Sequence, residues 1–134
     1  MKLYLKELQT PGLIRSMYVV TAETDPKELW KSSAITILRE SSTKSSVMEI
    51  IESYGLDKLV DEQKVILLFP NPVNDRWNYT LKEGLTKDAE FIIALNNSLN
   101  SGTFTEGWRA MNDVHYLLGF GEGASMVNTL VAAF

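Results

Sequence analysis

Glycines at positions 119, 121 and 123 mark the stretch best suited to chemistry, Val114-His115-Tyr116-Leu117-Leu118-Gly119-Phe120-Gly121-Glu122-Gly123-Ala124-Ser125-Met126-Val127. Apolar residues of strand character run into the turn. Met126, Val127, Leu130 and Val131 follow it at the spacing of one buried helical face. A strand, a tight turn and a helix in that order aim a side chain, or a row of backbone N–H groups, at the mouth of a sheet. Two motifs fit the glycines. Gly119, Gly121 and Gly123 reproduce the frame of the nucleophile elbow, Gly-x-Ser-x-Gly, with Gly121 in the serine slot. Gly119, Gly121 and Ala124 also satisfy the dinucleotide fingerprint Gly-x-Gly-x-x-Gly/Ala. That second motif needs an acidic residue about 20 positions further on to hold the ribose, and the sequence stops at Phe134. It also usually opens the first βαβ unit, whereas here it comes last.

Other residues able to do chemistry are few. There is no cysteine, which excludes disulfides, thiolate metal sites and cysteine nucleophiles. The single histidine, His115, argues against a histidine-based metal site. Its place at the start of a strand, away from the mouth, gives it a structural or solvent-facing role. Trp77 and Asn78 stand in a loop on the functional side: Asn78 can orient the loop or meet a ligand, and Trp77 can anchor it in a groove. Glu122 faces the would-be pocket and can bind a polar ligand, or serve as a surface carboxylate at a helix N-terminus. No cofactor and no metal are expected.

A net charge of −4 and a pI near 5.0, with Lys and Arg scattered singly, argue against nucleic acid or an anionic membrane as partner. Apolar residues at 45% and charged residues at 22% are ordinary for a globular protein, and 134 residues suit one domain. Met1–Glu7 has no long apolar core and no later run reaches membrane-spanning length. The expected location is the cytoplasm, with secretion after signal removal as the other reading.

The elements that would position the glycine turn can be read in order. Leu3, Leu5 and Leu8 suggest a half-buried strand, Thr10-Pro11-Gly12 a turn, and Arg15 to Thr21 a second strand antiparallel to the first. Thr24 to Lys31 reads as a polar connection from which Leu29 and Trp30 can tuck into the core. Ala34 to Leu38 is a short buried strand, followed by a serine-rich loop from Ser41 to Ser46. Ser46 and Glu49 form a capping box, and Val47, Ile50, Ile51 and Tyr54 give the next helix its apolar face. Gly55 ends it, and Leu56 to Asp61 adds one helical turn whose Asp57, Asp61 and Glu62 face solvent. Lys64 to Phe69, apolar on both faces, is the strongest strand. Pro70 stops it, and Val73 to Gly84 is a loop. Thr86 begins a helix with Asp88 and Glu90 in its first turn, favourable to its dipole, and Ala89, Ile92, Ile93 and Leu99 along its buried stripe. Asn100 to Glu106 is a loop, Gly107 to Met111 a short helical turn. Trp108 is a packing residue, and Met17, Met48, Met111 and Met126 fall at core spacing. The fold class is therefore α/β: a three-layer, mostly parallel sheet of about five strands with an N-terminal antiparallel hairpin. Function in such sheets lies outside the carboxyl ends of the parallel strands, here the loops after Leu38, Phe69 and Phe120.

From about Arg15 to Val131 the chain resembles the α/β-hydrolase superfamily, and within it the polyhydroxybutyrate-depolymerase and feruloyl-esterase-like branch. Arg15-Ser16-Met17-Tyr18 resembles that branch's second strand. Leu56 to Pro70 resembles its helix, apolar strand and Tyr-Pro segment, and Trp77-Asn78 its Trp-Asn pair. Asp88 to Leu95 resembles the Asp-Val-x-Phe-Ile helix, and Tyr116 to Met126 resembles Tyr-x-x-Gly-x-Ser-x-Gly-Gly-x-Met. The resemblance implies a nucleophilic serine where this sequence has Gly121, which has no oxygen to attack an ester. Ser125 lies four residues on, in the first turn of the helix, and cannot take over. The family's His-Gly after the third strand, part of the oxyanion hole, is here Arg39-Glu40. The triad acid and histidine come later in the family, beyond Phe134. The expected chain is a single domain over 1–134, incomplete at its C-terminal side. It is catalytically degenerate, with a disarmed elbow at Gly119, Phe120, Gly121, Glu122 and Gly123 and a role in binding or assembly. The other readings are the N-terminal part of an esterase-like hydrolase and a nucleotide-binding module.

The family's strand order, 1-2-4-3-5-6-7-8, would leave the strand at 114–120 as an apolar edge, and Val131-Ala132-Ala133-Phe134 is an apolar ending. Three completions are expected: a longer protein, a second polypeptide, or a second copy paired through that edge.

Overall fold

The computed structural model describes residues 1–10, 13–24, 33–40, 42–72, 76–79, 86–101 and 115–133. The turn at Pro11-Gly12, Leu29, Trp30, Trp108, Met111 and the helical turn at 107–111 lie outside these residues.

The described residues hold five strands and four helices in the order β1 (Lys2–Thr10), β2 (Leu13–Thr21), β3 (Ala34–Leu38), α1 (Lys44–Tyr54), α2 (Leu56–Gln63), β4 (Ile66–Pro70), α3 (Lys87–Ser101), β5 (His115–Gly119) and α4 (Glu122–Ala133). The sheet order is β1-β2-β4-β3-β5. The hairpin pairs antiparallel, from Lys2 opposite Thr21 to Thr10 opposite Leu13. β2 pairs antiparallel with β4, and β3 runs parallel to both β4 and β5. This is the expected α/β sheet with its N-terminal hairpin.

Connection handedness explains the layers. From β3 the chain crosses one way to reach β4, and from β4 it crosses back over β3 to reach β5. Right-handed crossovers made in opposite directions leave their helices on opposite faces. Side-chain alternation then divides the core. Met17, Val19, Ala34, Leu38, Ile66 and Leu68 pack under α3 and α4, together with Phe91, Leu95, Leu99, Met126 and Leu130. Val20, Ile37, Leu67 and Phe69 pack under α1 and α2, with Val47, Ile50, Ile51 and Val60. β4 is buried at every residue because both faces are covered. Among the described residues no helix is long and apolar enough to cross a membrane.

Several local expectations are corrected. Helix α1 starts three residues early, with Thr43 as its N-cap: Thr43 Oγ1 accepts from Ser46 N at 3.2 Å, and Ser46 Oγ accepts from Thr43 N at 2.8 Å. A serine thus completes the box from inside the helix, and Ser46 is not the cap. Tyr54 is 62% exposed, its ring instead tilted against Phe120 at 5.5 Å. Helix α2 runs two turns rather than one. β4 is shifted to Ile66–Pro70, with Pro70 a ladder residue opposite Met17 rather than a stop. The α3 stripe centres on Ala89, Ile92, Leu95 and Leu99, with Phe91 also buried and Ile93 half-buried. Leu5 is 57% exposed, and Val131 is 68% exposed at a cleft it lines with Ile92 and Ile93 of α3.

Replacing Thr43 by Ala removes the side-chain acceptor of the α1 cap and is expected to cost about 1 kcal/mol in urea unfolding. Ser46→Ala should cost less, since the Thr43 oxygen still reaches the Ser46 amide.

Candidate functional site

β3 and β5 are neighbours whose following helices leave to opposite faces, α1 to one and α4 to the other. Such a point opens a crevice beyond the strands' carboxyl ends. The chain fills that crevice with the glycine turn. Phe120 N donates to Leu38 O at 2.9 Å, extending the β3–β5 pairing one step past Gly119. Gly121 then takes φ +58, the left-handed value that lets the chain reverse sharply into α4. Gly123 N donates to Phe120 O at 2.9 Å and Ala124 N to Gly121 O at 3.1 Å, which closes the turn.

Close approach dictates the flanking glycines. A Cβ on Gly123 would overlap the Leu38 carbonyl, and one on Gly119 would stand 2.5 Å from the Ala124 Cα. The tip differs. A Cβ on Gly121 would meet only the Glu40 Oε1, at 3.4 Å. The turn is therefore closely packed on both sides of a tip that carries no side chain, and the carboxylate of Glu40 borders the place a side chain would take. Ser125 is half-buried on α4, four residues past the tip. The amide of Glu122 is the first of the helix, a position whose N–H has no partner within the helix itself.

Residues 76–79 form the rim. Trp77 is buried, and its Nε1 donates to Arg39 O at 2.6 Å, which holds the loop after β3 in place. Asn78 is anchored through its backbone: its N donates to Asp88 Oδ2 at 2.6 Å and its O accepts from Thr86 Oγ1 at 2.8 Å. Thr129 Oγ1 on α4 donates to Tyr79 O at 2.9 Å. Arg76 donates from Nε at 3.0 Å and Nη2 at 2.9 Å to Glu122 Oε1. That carboxylate holds the Arg76 guanidinium protonated above its ordinary range, chiefly through this hydrogen bond. Glu122 thus has a partner within the chain already. Arg76 is exposed, so the pair is weak in energy.

Two clamps escaped the sequence reading. Asp88, expected to serve the α3 dipole, is buried, and its Oδ1 accepts from Arg15 Nη1 at 2.6 Å while Oδ2 holds Asn78. Arg15 also lies over the Phe91 ring, 4.8 Å from its centroid. Asn71 joins β2 to the loop after β3: its N donates to Ser16 O at 3.2 Å, its Nδ2 to Ser16 Oγ at 3.3 Å, and its Oδ1 accepts from Ser42 N at 3.1 Å. An Arg on a strand and an Asp 73 residues later show no local pattern that pairs them. Arg15 and Asp88 each stood in a segment singled out by the resemblance, but nothing in either segment paired them.

Among the described residues no three His, Cys, Asp or Glu side chains converge to hold a metal. His115 opens β5 opposite Ala34, a strand's length from Gly121.

Asp88→Ala leaves the Arg15 charge buried and frees the rim, and is expected to cost about 3 kcal/mol in urea unfolding. Gly123→Ala should prevent stable folding. Gly121→Ala meets only the end of a flexible side chain and should cost about 1 kcal/mol for its left-handed backbone, read as a small drop in Tm.

No family model and no curated protein sequence matches the chain. Solved structures do. A ferulic acid esterase is similar over 93% of this chain and 52% of its own, with a TM-score of 0.66 at 14% identity. A thermostable esterase is similar over 98% of this chain and 38% of its own, with a TM-score of 0.63 at 15% identity. An S-formylglutathione hydrolase from Staphylococcus aureus is similar over 91% and 48%, with a TM-score of 0.58 at 14% identity. The chain spans about half the length of these structures, or less. Its fold is that of the α/β-hydrolase-like esterases.

Proposed function

We propose that this chain is an esterase-fold domain whose elbow binds rather than cleaves. The observation that carries the reading is Gly121 at φ +58 between two obligatory glycines, a tip shaped for a nucleophile with no atom to serve as one. The Glu122 amide still offers an N–H at the helix N-terminus. The Glu40 carboxylate beside the tip and the Glu122 carboxylate on the rim disfavour an anion there, so a neutral carbonyl oxygen is the ligand group that suits the site. The same carboxylates count against a pyrophosphate, and hence against the nucleotide-binding reading. Trp77 and the backbone of Asn78 act in this proposal as supports for the rim.

A second reading draws support from coverage. A chain spanning 52%, 38% and 48% of esterase-like structures is also what the N-terminal part of such a hydrolase would be.

Hydrolysis of p-nitrophenyl acetate tests both. Neither the unaltered chain nor Gly121→Ser is expected to release nitrophenol above the buffer rate, since the sole histidine, His115, begins β5 at the end away from the tip. Protein-dependent turnover by the unaltered chain would refute the binding proposal. Turnover only after Gly121→Ser would show an acid–base apparatus within the chain itself and would count against both readings. Millimolar NAD or ATP should leave Tm unchanged, as a ligand that does not bind cannot stabilise.

A further inference from the structure

Side chains of β3 alternate between the two faces of the sheet, and the alternation continues past the end of the strand. Ile37 packs under α1 and α2, and Leu38 under α3 and α4. Arg39 returns to the α1 side, where its Nη1 donates to Ser46 O at 3.2 Å. It is half-buried, and its carbonyl is held by Trp77. Phe120, the residue before the elbow tip, turns to the same side and meets the Tyr54 ring at 5.5 Å. Along α1, Glu49, Ile50, Ser53 and Tyr54 share one helical face. Arg39, Phe120 and these four residues of α1 border a hollow of about 220 Å³.

The hollow carries one charge of each sign. Among the described residues neither Arg39 nor Glu49 forms an ion pair, with the other or with any further group. Ser46 O engages Nη1 alone, which leaves the rest of the guanidinium fork for a carboxylate. A simple anion drawn to Arg39 would be repelled by Glu49, and a simple cation would meet the reverse. A molecule with both charges satisfies both groups. We propose that this hollow binds a small zwitterion, an α-amino acid, with its carboxylate on the Arg39 guanidinium and its ammonium on the Glu49 carboxylate. Ser53 adds a hydroxyl at the border, and Ile50, Tyr54 and Phe120 supply apolar surface for the amino acid's side chain. Volume sets the size of the ligand: the hollow is smaller than the roughly 300–1,000 Å³ of drug-sized pockets, which suits a compact molecule. This inference does not depend on the function of the elbow.

Titration of the isotope-labelled chain with leucine, followed by amide NMR shifts, tests it. Millimolar leucine should move the resonances of Arg39, Glu49, Ser53 and Phe120 and leave those of α3 and β1 in place. N-acetylleucine lacks the ammonium and leucinamide lacks the carboxylate, so each should bind more than about tenfold more weakly. Glu49 is exposed, so Glu49→Gln should leave Tm unchanged. It is expected to weaken leucine about tenfold and to leave N-acetylleucine as before. No localised shift with millimolar leucine would overturn the proposal. So would equal affinity for the three compounds, or leucine binding indifferent to Glu49→Gln.

Discussion

The approach of the β5–α4 turn to the end of β3 is the contact on which the rest of the site is built. Leu38 supplies its carbonyl to Phe120 N, and the same carbonyl occupies the space that a side chain on Gly123 would need. Hydrogen bond and steric exclusion act on one atom. Together they set where β5 ends, where α4 begins and which way the tip at Gly121 faces. Any larger residue at 123 would lift α4 from β3, and with it Met126 and Leu130 from the core beneath.

Around that contact the chain is stitched by polar groups that come from distant positions. Arg15 on β2, Asp88 at the start of α3 and the backbone of Asn78 form one line, and Trp77 carries it on to Arg39 beside the elbow. Asn71 ties β2 to the loop after β3 on the other side of the same mouth. A buried ion pair gains little against its desolvation. What this one provides is position: Asp88 spends both oxygens, one on a strand and one on the rim. The rim is thereby fixed to the rigid sheet.

The similarity to esterase structures is a similarity of fold, and packing accounts for it. The fold is retained by packing and close backbone approach, which Gly119, Gly123 and the buried sheet supply. A fold held in this way does not by itself carry an activity.

Much of this was legible in the sequence. Alternation and apolar runs placed β2, β3 and β4 to within a few residues, because a strand covered on both faces has no room for polar residues. The glycine spacing placed the tight turn between β5 and α4, since the close approaches at Gly119 and Gly123 demand the absence of a Cβ there. Where the local signal was ambiguous, tertiary structure decided. Thr43 or Ser46 could each cap α1, and only the path of the chain out of β3 chose Thr43. Tyr54 fits the apolar stripe of α1 by spacing, yet the sheet ends beneath it and leaves its ring to Phe120. Asp88 reads as a dipole-stabilising residue because its partner Arg15 lies 73 positions away. The partners of Glu122 and Trp77 were hidden for the same reason. Local spacing encodes which residues must be small or apolar, whereas the pairing of polar groups depends on distances between elements that only the folded chain establishes.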